Sequence, residues 1–143
     1  EQVQSCATEA QGITVKEQSY GYEVILPHLM PKRSHRNHTV FLLEPLTYAL
    51  KEFTVAHPIC RLEYALIWFI YEYTEDTPIH CIRDYDNIET KEVLDIINSF
   101  FLLDDGGAFC ELHYSTRRGN RTCTRVIISS DIGLVSCQKI KGN

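Results

Sequence analysis

The chain has 143 residues, 44% of them hydrophobic and 23% charged, with a net charge of −5 and a sequence isoelectric point near 5.6. Such values belong to a globular domain with a real core rather than to a disordered chain, and the acidic balance argues against nucleic acid as a partner. The longest uninterrupted apolar run, Ala65–Tyr71, falls far short of the roughly 20 residues that span a bilayer, so no membrane insertion is expected within the chain.

From the amino end, Gly12 to Leu26 is rich in β-formers, with Gly21 and the Gln18-Ser19 pair as interruptions. It reads as one bent strand or two short ones. Pro27 and Pro31 end regular structure, and the basic heptad from Lys32 to His38 reads as a surface loop. Thr39–Leu43 is expected to be a short strand. Glu44-Pro45 then resembles a helix start with proline at its first position, and Leu46, Ala49, Leu50 and Phe53 form its apolar stripe. Pro58 should stop that helix by His57.

Arg61–Tyr73 fits a helical stripe, but its density of aromatic and β-branched residues favours a strand buried on both faces. The turn cluster Glu75-Asp76-Thr77-Pro78 then leads into a second strand over Ile79–Tyr85, making a β-hairpin. Asp86-Asn87 is expected to cap a second helix, with Glu89 and Glu92 in its first turns. Its stripe is Ile88, Val93, Ile96, Ile97, Phe100 and Phe101, and Asp104-Asp105-Gly106-Gly107 ends it. Phe109–Ser115 and Thr122–Ser129 read as strands flanking a hairpin loop at Arg117-Arg118-Gly119-Asn120, and Asp131-Ile132-Gly133 turns into a last strand, Leu134–Ile140.

The order from Thr39 to Ser115 is β-α-β-β-α-β, the split βαβ arrangement, with extra strands at both ends. We therefore expect an α+β fold: a largely antiparallel, disulfide-stabilised sheet with two helices on one face, in a single secreted domain over residues 1–143. A β-sandwich with two appended helices is the alternative.

Two features locate the chain. Asn37-His38-Thr39 and Asn120-Arg121-Thr122 are N-glycosylation sequons. Cys6, Cys60, Cys81, Cys110, Cys123 and Cys137 make an even count with no C-x-x-C spacing. That pattern argues for disulfides and against zinc sites or thioredoxin-type chemistry. Pairing among Cys110, Cys123 and Cys137 is expected because their strands should be neighbours. Together these signals place the chain in the secretory pathway of a eukaryote or of a virus using one. It is then secreted, or displayed on the outer side of a membrane or virion. The start at Glu1, without methionine or an apolar leader, reads as a mature fragment whose signal peptide has been removed.

No catalytic or cofactor motif rises above background, and no cofactor or metal is expected. Asp84 to Glu89 supplies oxygen ligands as a calcium loop does. It lacks the glycine and distant glutamate of an EF-hand, and a capped acidic helix start explains the same residues. A secreted hydrolase such as a ribonuclease is one alternative reading, with His113 and His80 as acid and base and Lys16 or Arg125 as the cation, although nothing in their spacing selects them. His80-Cys81 is a poor dyad, because strand neighbours point to opposite faces. A small-ligand or glycan-binding protein is the other alternative. Tyr64, Trp68, Phe69, Tyr71 and Tyr73 would line its pocket, or the basic clusters would take an acidic glycan, yet a core strand explains the aromatics more cheaply.

Charge is segregated along the chain. Residues 72–105 hold ten acids and two bases, whereas residues 106–143 hold six bases and two acids. Lys32, Arg33 and Arg36 form one basic loop, and Arg117, Arg118, Arg121 and Arg125 form another. The reading favoured is a non-enzymatic glycoprotein module that binds an extracellular or cell-surface protein, as receptors, their ligands and immune modulators do. Lys32, Arg33, Arg36, Asp84, Asp86 and Glu89 are its candidate contact residues.

Overall fold

The computed structural model describes residues 7–10, 12–28, 40–59, 61–82, 90–103 and 110–131. These form a mixed six-stranded sheet with two helices, an α+β architecture. The strands are β1 (Ala7–Ala10), β2 (Ile13–Gln18), β3 (Gly21–Leu26), β4 (Ala65–Thr74), β5 (Cys110–Gly119) and β6 (Cys123–Ser129), in the spatial order β1-β2-β3-β6-β4-β5. The helices are α1 (Val40–Ala56) and α2 (Lys91–Phe101).

Gly12 to Leu26 resolves into two strands. Gln18 pairs with Gly21, so Ser19-Tyr20 is a two-residue turn, and Gly21 sits at φ 146° directly against β6. β1 was not foreseen, because Ala-Thr-Glu-Ala carries no strand signal of its own and pairs only by register with β2.

The expected strand at 39–43 is overturned for its described residues: Val40–Leu43 is the first turn of α1, and Pro45 lies inside the helix rather than at its start. Helical period is the reason. Leu42 and Leu43 pack on the same core as Leu46, Ala49, Leu50 and Phe53, extending the apolar stripe by a turn. Proline removes one helical N–H donor there, and burial of that stripe outweighs the loss. α1 ends at Ala56, as Pro58 required.

Nine of the ten residues of β4 are buried, so the doubly covered strand is present. Its hairpin partner is not. Ile79–Cys81 is a single exposed 3-10 turn, and Ile82 follows as a bend. The Arg118 guanidinium holds the preceding turn instead, donating to the carbonyls of Thr74, Glu75 and Thr77. Residues 83–85 of the expected strand lie outside the described residues.

α2 opens at Thr90, not at Asp86-Asn87. The Thr90 side chain makes no cap; its hydroxyl lies 3.2 Å from that of Tyr114 on β5. The expected stripe holds over the described residues: Val93, Ile97 and Phe101 are buried, and Ile96 and Phe100 pack against them. Ile88 lies outside the described residues.

The last expected hairpin is also corrected. β5 and β6 do not pair; β4 lies between them, parallel to β5 and antiparallel to β6. The other three pairings are antiparallel. A β-α-β unit (β4-α2-β5) therefore replaces the split arrangement, and the observed order from β3 is β-α-β-α-β-β. Asp131 leads toward the expected strand Leu134–Ile140, which lies outside the described residues.

Both helices cover one face of the sheet. Leu46, Leu50 and Phe53 of α1 and Val93, Ile97 and Phe101 of α2 share a core with Ile67, Phe69 and Tyr71 of β4 and Val126 and Ile128 of β6. The opposite face carries a smaller cluster, Leu66, Trp68, Ile70 and Ile127, with Tyr20 against it.

Candidate functional site

Alternation along β4 sends Leu66, Trp68, Ile70 and Glu72 to the face away from the helices. A carboxylate there, 3% exposed, demands partners. Register supplies them. Arg117 of β5 stands opposite Glu72, and its Nε and Nη2 donate to Glu72 Oε1 at 3.3 and 3.2 Å. From β6, Arg125 donates through Nε to the same oxygen at 2.7 Å and through Nη1 to Glu23 Oε2 of β3 at 3.1 Å. Gln18 of β2 donates to the other Glu23 oxygen at 3.1 Å. The result is a charge ladder of alternating sign across four adjacent strands, extended to a fifth by the neutral Gln18 amide.

Its electrostatics are closed. Burial pushes the Glu72 carboxyl up, but the Arg125 hydrogen bond and the charges of Arg125 and Arg117 outweigh it and hold the group below its ordinary value. Burial also opposes the charge on Arg125, yet its bonds to Glu72 and Glu23 bind the proton more firmly than in water. Beside the ladder, burial and then the Glu23 charge push the Tyr20 phenol well above its usual range. The equal numbers of acids and arginines leave no net charge to attract a substrate. Gly119 is part of the construction. A Cβ there would stand 2.0 Å from Glu72 Oε2, so only glycine leaves room for the carboxylate.

One pH dependence follows. A carboxyl depressed in the fold contributes stability above the unfolded glutamate pKa, about 4.3, and loses it as pH falls through the lower folded value. Denaturation midpoints measured from pH 6 down to 2 should therefore fall below about pH 4, and Glu72→Gln should flatten that fall. An unchanged profile in the variant would show that Glu72 is not the group being titrated.

The histidines do not assemble. His113 Nε2 lies 3.2 Å from Glu111 Oε1 on β5, and both side chains are about two-fifths exposed. Ser115, two residues on along the same face, instead accepts a 2.7 Å bond from Trp68 Nε1. His80 sits in the exposed 3-10 turn, no hydrogen bond or ion pair joins it to His113 among the described residues, and Arg125 is committed to two carboxylates. The strand argument against a His80–Cys81 dyad gives way to another: on a 3-10 turn successive side chains lie a third of a turn apart.

Cys81, Cys110 and Cys123 are unpaired thiols in this structure. Cys110 registers with Ala65 and Cys123 with Glu72, seven residues apart along β4, about 23 Å at 3.3 Å per residue. The expected Cys110–Cys123 bond is therefore sterically excluded. Burial pushes both thiols up, opposed by an Asn98 hydrogen bond at Cys110 and reinforced by Glu72 at Cys123, so neither is an activated nucleophile. Cys6, Cys60 and Cys137 lie outside the described residues.

The aromatic run is core. Tyr71 stacks on Tyr114 at 6.3 Å between ring centres and Phe69 packs tilted against the same ring at 5.9 Å, Tyr73 is buried with them, and Trp68 lies on the other face; of the five, Tyr64 alone is exposed. The second basic loop dissolves: Arg117 and Arg118 belong to β5 and Arg125 to β6, leaving Arg121 in an exposed turn beside Asn120. Lys32, Arg33, Arg36, Asn37, Asp84, Asp86 and Glu89 all lie outside the described residues. No described helix is long and apolar enough to cross a membrane.

A family profile matches residues 1–132. The chain belongs to DUF6100, a family of unknown function. No curated protein matches it. Among solved structures, this DUF6100 chain is similar to the periplasmic domain of Helicobacter pylori MotB (residues 78-256), at 15% identity and a TM-score of 0.47 over 94% of this chain and 95% of that one. A second structure of that domain (residues 90-256) gives 12% identity and a TM-score of 0.43 over 92% and 88%. A likeness of that degree carries no argument about what this chain binds or where it works.

Proposed function

We propose that this chain is a non-enzymatic glycoprotein module, secreted or displayed on an outer surface, that binds another protein. The charge ladder carries the proposal. Glu72, Arg117, Arg125 and Glu23 are charged groups of the kind an active site would use, and all four are spent on holding strands together. Two further observations support it: the sequon at Asn120 lies in an exposed turn between β5 and β6, and the remaining charges are segregated along the chain.

Lys32, Arg33 and Arg36, beside the Asn37 sequon, and Asp84, Asp86 and Glu89 are the contact segments this reading selects. Rim charges act chiefly on association rate. With a partner captured from extracellular fluid or a cell-surface receptor screen, reversing the three basic residues should slow association and flatten its dependence on salt. Unchanged kinetics after that reversal and after reversal of the three acids would remove both segments from the interface.

Glycosylation is tested separately. Expression in eukaryotic cells should give a chain that shifts to higher mobility after endoglycosidase, and Asn120→Gln should remove part of the shift. No shift in the parent would refute the secretory reading.

A further inference from the structure

α1 buries one side and exposes the other. Leu46, Ala49, Leu50 and Phe53 are fully buried against the sheet, and on the opposite ridge of the helix Tyr48, Lys51, Glu52 and Val55 are all exposed. Tyr48 is 55% exposed and Val55 83%. Seven residues apart on a helix of about 3.6 residues per turn, they stand in one line roughly 10 Å long. An isolated exposed apolar side chain is ordinary, but two at heptad spacing along the ridge behind the core form a seam. Lys51 and Glu52 flank that line, one on each side and each about 50° from it. Among the described residues neither has an ion pair or a side-chain hydrogen bond.

The flanking charges select the occupant. An antiparallel copy, related by a two-fold axis perpendicular to both helices, brings each flank against the same flank of its partner. With Tyr48 opposite Val55, Lys51 then meets Lys51 and Glu52 meets Glu52. Sliding that copy until Lys51 meets Glu44 carries Val55 away from the apolar residues of the partner's ridge. A parallel copy, related by a two-fold axis along the helix direction, brings each flank against the opposite one. Lys51 then meets Glu52 of the partner copy on one side, Glu52 meets Lys51 of the partner copy on the other, and Tyr48 and Val55 each pack on their own equivalents.

We propose that the outer ridge of α1 is a self-recognition surface through which two copies of this chain pair in parallel, with Tyr48 and Val55 as the seam and a Lys51–Glu52 pair closing each flank. The surface is small, so the dimer is a weak one that forms and separates with concentration. This pairing is independent of the partner binding proposed above and survives its failure.

Sedimentation equilibrium of the purified chain should show a monomer–dimer system. Lys51→Glu puts like charges together on both flanks and should weaken the dimer at least about tenfold. Adding Glu52→Lys to the same chain exchanges the two charges and should restore the parent affinity. Thermal midpoints and far-UV circular dichroism of both variants should match the parent, since the two residues lie outside both apolar clusters. Orientation is read by cross-linking: Val55→Cys should oxidise to a dimer linked through position 55, beyond any seen in the parent, because only the parallel pairing sets that residue against itself. A chain monomeric at the highest concentration loaded would overturn the proposal. So would a dimer unaffected by Lys51→Glu, a double variant no tighter than the single one, or a Val55→Cys chain that links no more than the parent.

Discussion

Replacing Glu72 with alanine should cost about 3–5 kcal/mol of folding stability, among the largest losses available from a single position in the sheet. The substitution removes the acceptor shared by Arg117 and Arg125 and leaves two guanidinium groups, 29% and 20% exposed, without their common counter-charge. Partial exposure of the arginines moves the expectation toward the lower end of that range. Glu72→Gln keeps the shape and removes the charge, so the gap between the two variants separates packing from electrostatics. Urea denaturation at pH 7 measures both. A loss below about 1 kcal/mol for the alanine variant would show that the ladder is an ornament of the fold rather than a support.

Gly21→Ala should be comparably damaging for a different reason. A Cβ at that position would lie 2.1 Å from the Ile128 carbonyl oxygen, a backbone atom of the neighbouring strand that cannot swing away, and φ is 146°. A loss on the order of 3 kcal/mol or more, or failure to fold, is expected. Gly12 provides the control. Its φ is +84°, but a Cβ there would meet only Pro27 at 3.4 Å, an ordinary contact. Gly12→Ala should therefore show conformational strain alone, about 1–2 kcal/mol. Equal losses at the two positions would mean that the close approach to β6 is not what glycine serves at position 21.

Periodicity made much of this fold readable before any coordinates. The stripe from Leu46 to Phe53, the stripe from Val93 to Phe101 and the doubly buried run through β4 each carry a local signal strong enough to stand. What failed was non-local. Nothing within Phe109–Ser129 says that β4 will slide between β5 and β6, because strand order is decided by which buried faces meet across the sheet. Pro45 misled for a related reason: its local preference for a helix start was overruled by the packing of the partly buried Leu42 and Leu43 against the core. The ladder was half legible. Glu72 in the middle of an apolar, aromatic run is a carboxylate that must find a cation. Its partners could not be named without the register that brings Arg117 and Arg125 to it. The same register shows why Cys110 and Cys123 are poor candidates for one another.

The place of β6 has a consequence for how the chain is made. β6 forms ladders with β3 on one side and β4 on the other, and its pairing with β3 joins residues about a hundred positions apart, as in Gly21 with Ser129. Until residues 123–129 have left the ribosome, β3 and β4 each lack an inner neighbour, and the apolar faces they present have nothing to close on. Helices and the β2–β3 hairpin can form early, at low loop-closure cost, but the sheet itself is completed in one late, long-range step. Synthesis halted anywhere before Cys123 should thus yield a chain that chaperones hold and proteases clear, and the commitment to the native state belongs to β6, the strand threaded into the middle.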